Sequence, residues 1–226
     1  MRAEVILRLS GVTRRFAVRE GEAAALDDIT CEIARGDQVA VVGPSGSGKS
    51  TLLSIIARLD NPSSGEVSWP DLGAPESLRP GRIGLAFQMP SLIPSLTVVQ
   101  NVELPLVILG EASNRRERAL AALDRLSIAE LSERLPGEIS GGQGQRVALA
   151  RAMVTEPDLL LADEPTGQLD QGTGQMLIDR LIENAEATGA ALVVATHDPA
   201  IARRMKMIWR LEHGRLTVNR RLRVVS

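Results

Sequence analysis

The chain reads as an α/β protein built on a mainly parallel β-sheet, with a helical segment inserted into it. Three observations predict this. A glycine-rich loop, Gly43-Pro-Ser-Gly-Ser-Gly48-Lys49-Ser50-Thr51, stands between a short apolar run and a stretch of helical period. Further on, the apolar runs 159–162 and 191–196 are each followed by a helical pattern. Between these halves, from Thr97 to Leu135, the period is helical throughout.

Taken in order, Val5 to Leu9 alternates weakly and Ile29 to Ile33 alternates clearly, so both are predicted strands, while Gln38 to Val42 is a short buried one. Arg35-Gly36-Asp37 is the turn between the last two. The glycine-rich loop then opens a helix predicted over Lys49 to Arg58. Turn residues from Asp60 to Gly65 lead into a strand over Glu66 to Trp69, and a Pro/Gly-rich link leads to another over Arg82 to Phe87. Val98, Val102 and Leu106, then Ala119, Leu120, Leu123 and Leu126, lie on helical faces, and a further helix is predicted over Gln145 to Val154. The sheet pattern resumes with the strand Leu159 to Ala162, the helix Gly172 to Ala187, the strand Ala191 to Thr196 and the helix Pro199 to Met205.

The 226 residues, 44% hydrophobic with mean hydropathy +0.02, suffice for one globular core with a subdomain. The longest apolar runs are far short of the roughly 20 residues that cross a bilayer. Arg2, Glu4 and Arg8 interrupt the first residues, which do not read as a secretion signal, so a cytoplasmic location is expected. The lone Cys31 reads as a core residue. A net charge of −2 and a pI near 5.8 argue against a general nucleic-acid binder. Arg210, Arg215, Arg220, Arg221 and Arg223 form a basic tail that reads as a solvated end. Lys49 and Lys206 are the only lysines among 26 cationic residues, so a lysine inside the glycine loop points to a need for a compact ammonium there.

In that loop, Gly43, Gly46 and Gly48 let backbone N–H groups turn inward around phosphate oxygens, with Ser45, Ser47 and Thr51 among them. Lys49 would bridge the terminal phosphates and the Ser50 hydroxyl would ligate magnesium. Asp163 and Glu164 follow a buried strand and face the crevice at the carboxyl edge of the sheet. Asp163 suits magnesium, and Glu164 suits orienting or deprotonating a water. Gln88 and His197 each follow a strand and can reach the same crevice, Gln88 toward the metal or water and His197 toward the γ-phosphate. A second glycine loop, Ser140-Gly141-Gly142-Gln143, precedes a helix and carries no lysine. It reads either as a simple helix start at Ser140 or as an anion site completed by another subunit, because two adjacent glycines favour close backbone approach to a ligand.

In this order, GPSGSGKST, Gln88, ISGGQGQR, LLLADEPT, Gln168-Leu169-Asp170 and His197 resemble the motif series of an ATP-binding cassette (ABC) ATPase over essentially the whole chain. The resemblance implies a phosphate-loop NTPase fold: a mixed β-sheet core with an N-terminal antiparallel β-subdomain and an inserted α-helical subdomain. It implies one ABC ATPase domain over 1–226, with 1–96 and 156–226 as core and β-subdomain and 97–155 as the helical subdomain. It further implies binding of ATP and Mg²⁺ in a head-to-tail homodimer or in a pairing with a second ABC ATPase. Each ATP would lie between the phosphate loop of one subunit and Ser140 to Gln143 of the other, with Asp170 in the loop linking the sites.

The helical insertion and the residues after Gln88 would grip an integral membrane permease, placing the protein on the inner face of the membrane. Ala25 to Ile29, Ser95 to Leu106 and Ala162 to Gly167 are similar to the lipoprotein-release, macrolide-export and cell-division group of that family. The cell-division branch leaves open a signalling role toward cell-wall hydrolases without transport. The chain departs from the family pattern in having no tyrosine, so that Phe16 takes the adenine-stacking position, in Ile139, Gly144 and Gln168, and in a short 65–88 segment.

Overall fold

A computed structural model describes residues 4–18 and 21–220. Two sheets are present. One is antiparallel, in the order β2-β1-β4, from β1 (Val5–Val18), β2 (Gly21–Ala34) and β4 (Ser64–Ser68). The other has six strands in the order β5-β6-β7-β3-β8-β9, from β3 (Gln38–Val42), β5 (Ile83–Ala86), β6 (Leu159–Asp163), β7 (Ala191–Thr196), β8 (Met207–Glu212) and β9 (Arg215–Arg220). Its first five strands run parallel, and only the β8–β9 hairpin is antiparallel.

The central strands are buried on both faces, which is why they read as continuous apolar runs. Their period of two splits them between two cores. Ala40, Leu160, Ala162, Leu192 and Val194 face a helical layer, whereas Val39, Val41, Leu159, Leu161 and Val193 face α1 (Lys49–Ile56) and the antiparallel sheet. The helical layer comprises α2 (Val98–Ile108), α3 (Arg115–Arg125), α4 (Gly141–Met153), α5 (Gln171–Thr188) and the short α6 (Pro199–Ala202). Cys31 packs in the second core, where burial pushes its thiol pKa up to about 12.

Several predicted boundaries move. The helix from Lys49 stops at Ile56, and Arg58 has a left-handed backbone with φ of 53°. The helix predicted from Gln145 starts four residues earlier, because Ser140 caps it: the Ser140 hydroxyl accepts from Gln143 N–H and the Gln143 side-chain oxygen Oε1 accepts from Ser140 N–H. The strand expected to reach Phe87 ends at Ala86, since the Phe87 carbonyl is taken by the Gln145 side chain. The helix from Pro199 ends at Ala202, and the weak strand from Val5 continues through Val18.

The basic tail is partly structured. Arg210 lies in β8, and Arg215, in β9, pairs with Asp27 at 3.0 Å while its side chain stays largely solvent-exposed. Arg220 ends β9, while Arg221 and Arg223 lie outside the described residues.

Candidate functional site

Strands β3, β5, β6 and β7 are parallel neighbours, so the segments after their carboxyl ends meet at one edge of the sheet. They enclose a cavity of about 620 Å³ lined by Ser45, Gly46, Gly48, Lys49, Ser50 and Thr51 from the first loop. Gln88, Asp163, Glu164 and His197 complete it together with Ala25 and Gly167. Gly46 has a φ of +77° with open space where a side chain would go, and Gly48 has a φ of +105° with its missing Cβ directed at Ala25 O, 2.3 Å away. The first leaves the loop bare toward the cavity; the second lets it close against β2. Gly43 and Ser47 form the rear of the loop, where the Ser47 hydroxyl is buried without a partner.

Charge is concentrated around Glu164. Lys49 Nζ donates to Gly43 O at 2.9 Å and to Pro44 O at 3.2 Å, and stands 3.6 Å from Glu164 Oε1. Glu164 Oε2 is 2.9 Å from Nδ1 of the exposed His197. The Glu164 side chain is only 11% exposed, and its backbone has a left-handed φ of 45° while its N–H donates to Ala195 O at 2.9 Å. A strained backbone held by the neighbouring strand fixes this carboxylate in place. Beside it, burial and then the Glu164 charge raise the Asp163 pKa, against a hydrogen bond from Ser50 and the Lys49 charge, which lower it. Asp163 Oδ1 is buried and has no partner.

Three groups of predicted residues lie apart from this cavity. The Phe16 ring is exposed on β1 and carries the Arg14 guanidinium over one face, 4.5 Å from its centroid. Arg14 and Phe16 share a strand face by their spacing of two, a signal that sequence could have supplied. Asp170 caps α5, its carboxylate accepting from Thr173 N–H, and hydrogen bonds from the Thr173 hydroxyl and then its N–H lower the Asp170 pKa. The second glycine loop, Ser140 to Gln143, forms the first turn of α4 and packs against the segment following Glu164. A Cβ on Gly141 would lie 2.4 Å from Gln168 Oε1, and one on Gly142 would lie 2.5 Å from Leu169 Cδ2. This explains Gln168 structurally: its amide rests on the bare helix turn that the paired glycines provide. Ala25 and Gly167 lie in stretches that carry the family resemblance, but as small residues without a chemical signature they gave no sign of lining the cavity.

The profile of the family described as ABC transporter matches residues 26–167. The chain belongs to the ABC transporter family. It is 43% identical over 218 residues to the macrolide export ATP-binding/permease protein MacB of Chromobacterium violaceum, an alignment covering 93% of this chain and 34% of that protein. It is also 39% identical to the lipoprotein-releasing system ATP-binding protein LolD of Chromohalobacter salexigens, covering 95% of this chain and 94% of that protein. The chain thus spans about a third of the length of the macrolide-export relative. A solved structure of the ATP-binding cassette MJ0796, dimeric in a post-hydrolysis state and bound to ADP and Pi, superposes with a TM-score of 0.88 at 38% identity, covering 95% of this chain and 98% of that one. The fold is accordingly that of an ABC ATPase, with its antiparallel sheet and its helical region.

Two outcomes follow from this geometry. Replacing Gly142 by Ala, which helix propensity alone would make stabilising by about 1 kcal/mol, should show that gain cancelled or reversed in denaturant unfolding, because the new Cβ displaces Leu169. The Asp163→Asn variant should melt above the wild-type protein at pH 8. The folded-state pKa of Asp163 is raised, so folding takes up protons below it, and the wild type carries the full cost of the buried charge only above it. The difference between the two melting temperatures should therefore shrink as pH falls through the carboxylate range.

Proposed function

We propose that this chain is the ATP-hydrolysing subunit of a membrane transporter of the lipoprotein-release or macrolide-export kind. In this reading it works as a head-to-tail dimer, with a second copy or with another ABC ATPase. The observation that carries the reading is the division of labour within one chain. Lys49, Asp163, Glu164 and His197 converge on one cavity, while the second glycine loop packs against Gln168 and Leu169 and does not line it. That loop is free to complete the cavity of a partner.

The phosphates of ATP would lie against the backbone of residues 45–51, with Lys49 answering the charge of the terminal phosphate. Engaging phosphate would draw Lys49 away from Glu164, leaving this carboxylate to orient and deprotonate a water for in-line attack. His197, held at Glu164 Oε2, would keep the carboxylate turned toward the phosphate. The donor set also fits Mg²⁺. Asp163 Oδ1 is a buried acceptor without a partner, Ser50 adjoins it, and Gln88 lines the same cavity. Ser50, Gln88 and Asp163 would hold the ion together with phosphate oxygens. Bound there, Mg²⁺ would neutralise phosphate charge.

A groove of about 290 Å³ runs between the end of β5 and α2, lined by Leu59, Phe87, Leu104, Pro105 and Ile108 with Arg79 and Arg151 at hand. Ile108, in its lining, is 71% exposed, and Met89, two residues beyond the lining residue Phe87, is 72% exposed. Such a patch marks a partner surface. Among the described residues no helix is long and apolar enough to cross a membrane, and in this reading the membrane-spanning permease seats in this groove. The protein would then be cytoplasmic and held at the inner face of the membrane by its permease, with no role for nucleic acid.

Changing Glu164 to Gln should leave ATP affinity intact while lowering steady-state hydrolysis about 100-fold or more, and undiminished turnover would remove Glu164 from its role. The same variant, incubated with ATP and detergent-solubilised membranes, should co-purify an integral membrane protein. Adding Ile108→Glu should abolish that recovery without changing nucleotide binding. Recovery of soluble proteins alone would refute the transporter reading.

A further inference from the structure

Beyond Ala86 the chain stops bonding to the sheet and bonds to helices instead. Gln145 of α4, 1% exposed, donates from Nε2 to Phe87 O at 3.0 Å. Arg151, one and a half turns further along α4, donates from Nη2 to Pro90 O at 2.8 Å and from Nη1 to Ser91 O at 3.0 Å. Pro90 lies along the flank of the same helix, with its Cγ 3.5 Å from where a Cβ on Gly144 would stand. The far end of the segment is held by α2: Asn101 Oδ1 accepts from Ile93 N–H, and its Nδ2 donates to Ile93 O, Leu96 O and Thr97 O.

These side chains are costly ones to keep. Gln145 Oε1 is buried with no partner, and among the described residues Arg151 has no carboxylate within salt-bridge distance, while burial pushes its pKa down. A methionine at either position would fill the space without a buried polar side chain, but it would leave the Phe87 carbonyl, or those of Pro90 and Ser91, without these donors. What the polar side chains add is a fixed geometry for three carbonyls that flank or follow Gln88.

We propose that Gln145 and Arg151 are positioning residues that latch the Gln88 loop to α4, so that Gln88 and the glycine loop at the head of α4 move as one body. The hinge lies between Ala86, the last residue paired in the sheet, and Phe87, the first one held by the helix. Arg151 and Phe87 both line the apolar groove, so a partner seated there would load the latch directly and turn the head of α4 with it. The functional consequence rests on the ATPase reading above; the mechanical one does not.

Spin labels at Met89→Cys and Arg134→Cys, with buried Cys31 left in place, measure the latch in the nucleotide-free protein. The parent should give one narrow distance distribution. Gln145→Leu and Arg151→Lys, the latter keeping the charge but not the two-pronged donation, should each broaden it. Melting temperatures within a few degrees of the parent would show that the fold is intact, and Arg151→Lys is the milder change should Gln145→Leu fold poorly. In steady-state hydrolysis the unlabelled variants should lose about ten- to a hundredfold in kcat with KM for ATP within twofold of wild type. Distributions as narrow as the parent's, or a loss confined to KM, would overturn the latch. Absence of ATP hydrolysis in the wild-type protein would instead count against the proposed function and leave the label distances to judge the latch alone.

Discussion

Burial of β3, β5, β6 and β7 on both faces is the constraint on which the other features depend. Strands covered on both sides have to be apolar along their length, and parallel neighbours have to end at the same edge. Polar chemistry is therefore pushed off the strands and onto the few residues after their carboxyl ends. That is where the phosphate loop, Gln88, Asp163 with Glu164, and His197 all stand. The period of two within each strand does the rest, sending alternate side chains to the helical layer and to the layer formed by α1 and the antiparallel sheet. A helical region and a β-region are thus fastened to opposite faces of one rigid sheet.

At that edge electrostatics is tightly spaced and only partly satisfied. Glu164 holds Lys49 through one oxygen and His197 through the other, on a backbone turned into the left-handed region by its tie to Ala195. Asp163, one residue before, is buried and keeps an oxygen without a partner. A carboxylate already bound and a carboxylate still open are different tools: the first can be released by a competing anion, and the second can receive a cation. Two adjacent acidic residues differ in this way because Asp163 is the last, buried residue of β6 whereas Glu164 lies beyond the strand on a left-handed backbone that carries its side chain to Lys49 and His197.

Helix α4 ties this edge to the rest of the protein. Its first turn rests on Gln168 and Leu169, a few residues beyond Glu164, and its middle holds the carbonyls of Phe87, Pro90 and Ser91. The paired glycines, which on sequence alone pointed to a ligand, serve a contact within the chain. The same bare turn can still meet a ligand on its other side, because Ser140 and Gln143 satisfy each other's backbone and leave the remaining N–H groups of the turn uncommitted to the cap.

What the sequence determined by itself is whatever depends on local order. The glycine spacing of 43–48, the apolar runs that must be buried strands, the acidic pair closing one of them and the helical period of 97–135 each follow from residues a few positions apart. The order of these motifs along the chain was enough to indicate the family. Tertiary structure alone decided what long-range partners settle. The strand before Gln88 stops at Ala86 because Gln145, 58 residues away in sequence, takes the next carbonyl. Gln168 has a purpose only beside Gly141, Arg215 is paired only because Asp27 comes to it, and Ala25 lines the cavity only because Gly48 lets the loop approach β2. Periodicity and motif spacing record which face a residue presents; the neighbour that meets it is set by how the layers close over the sheet.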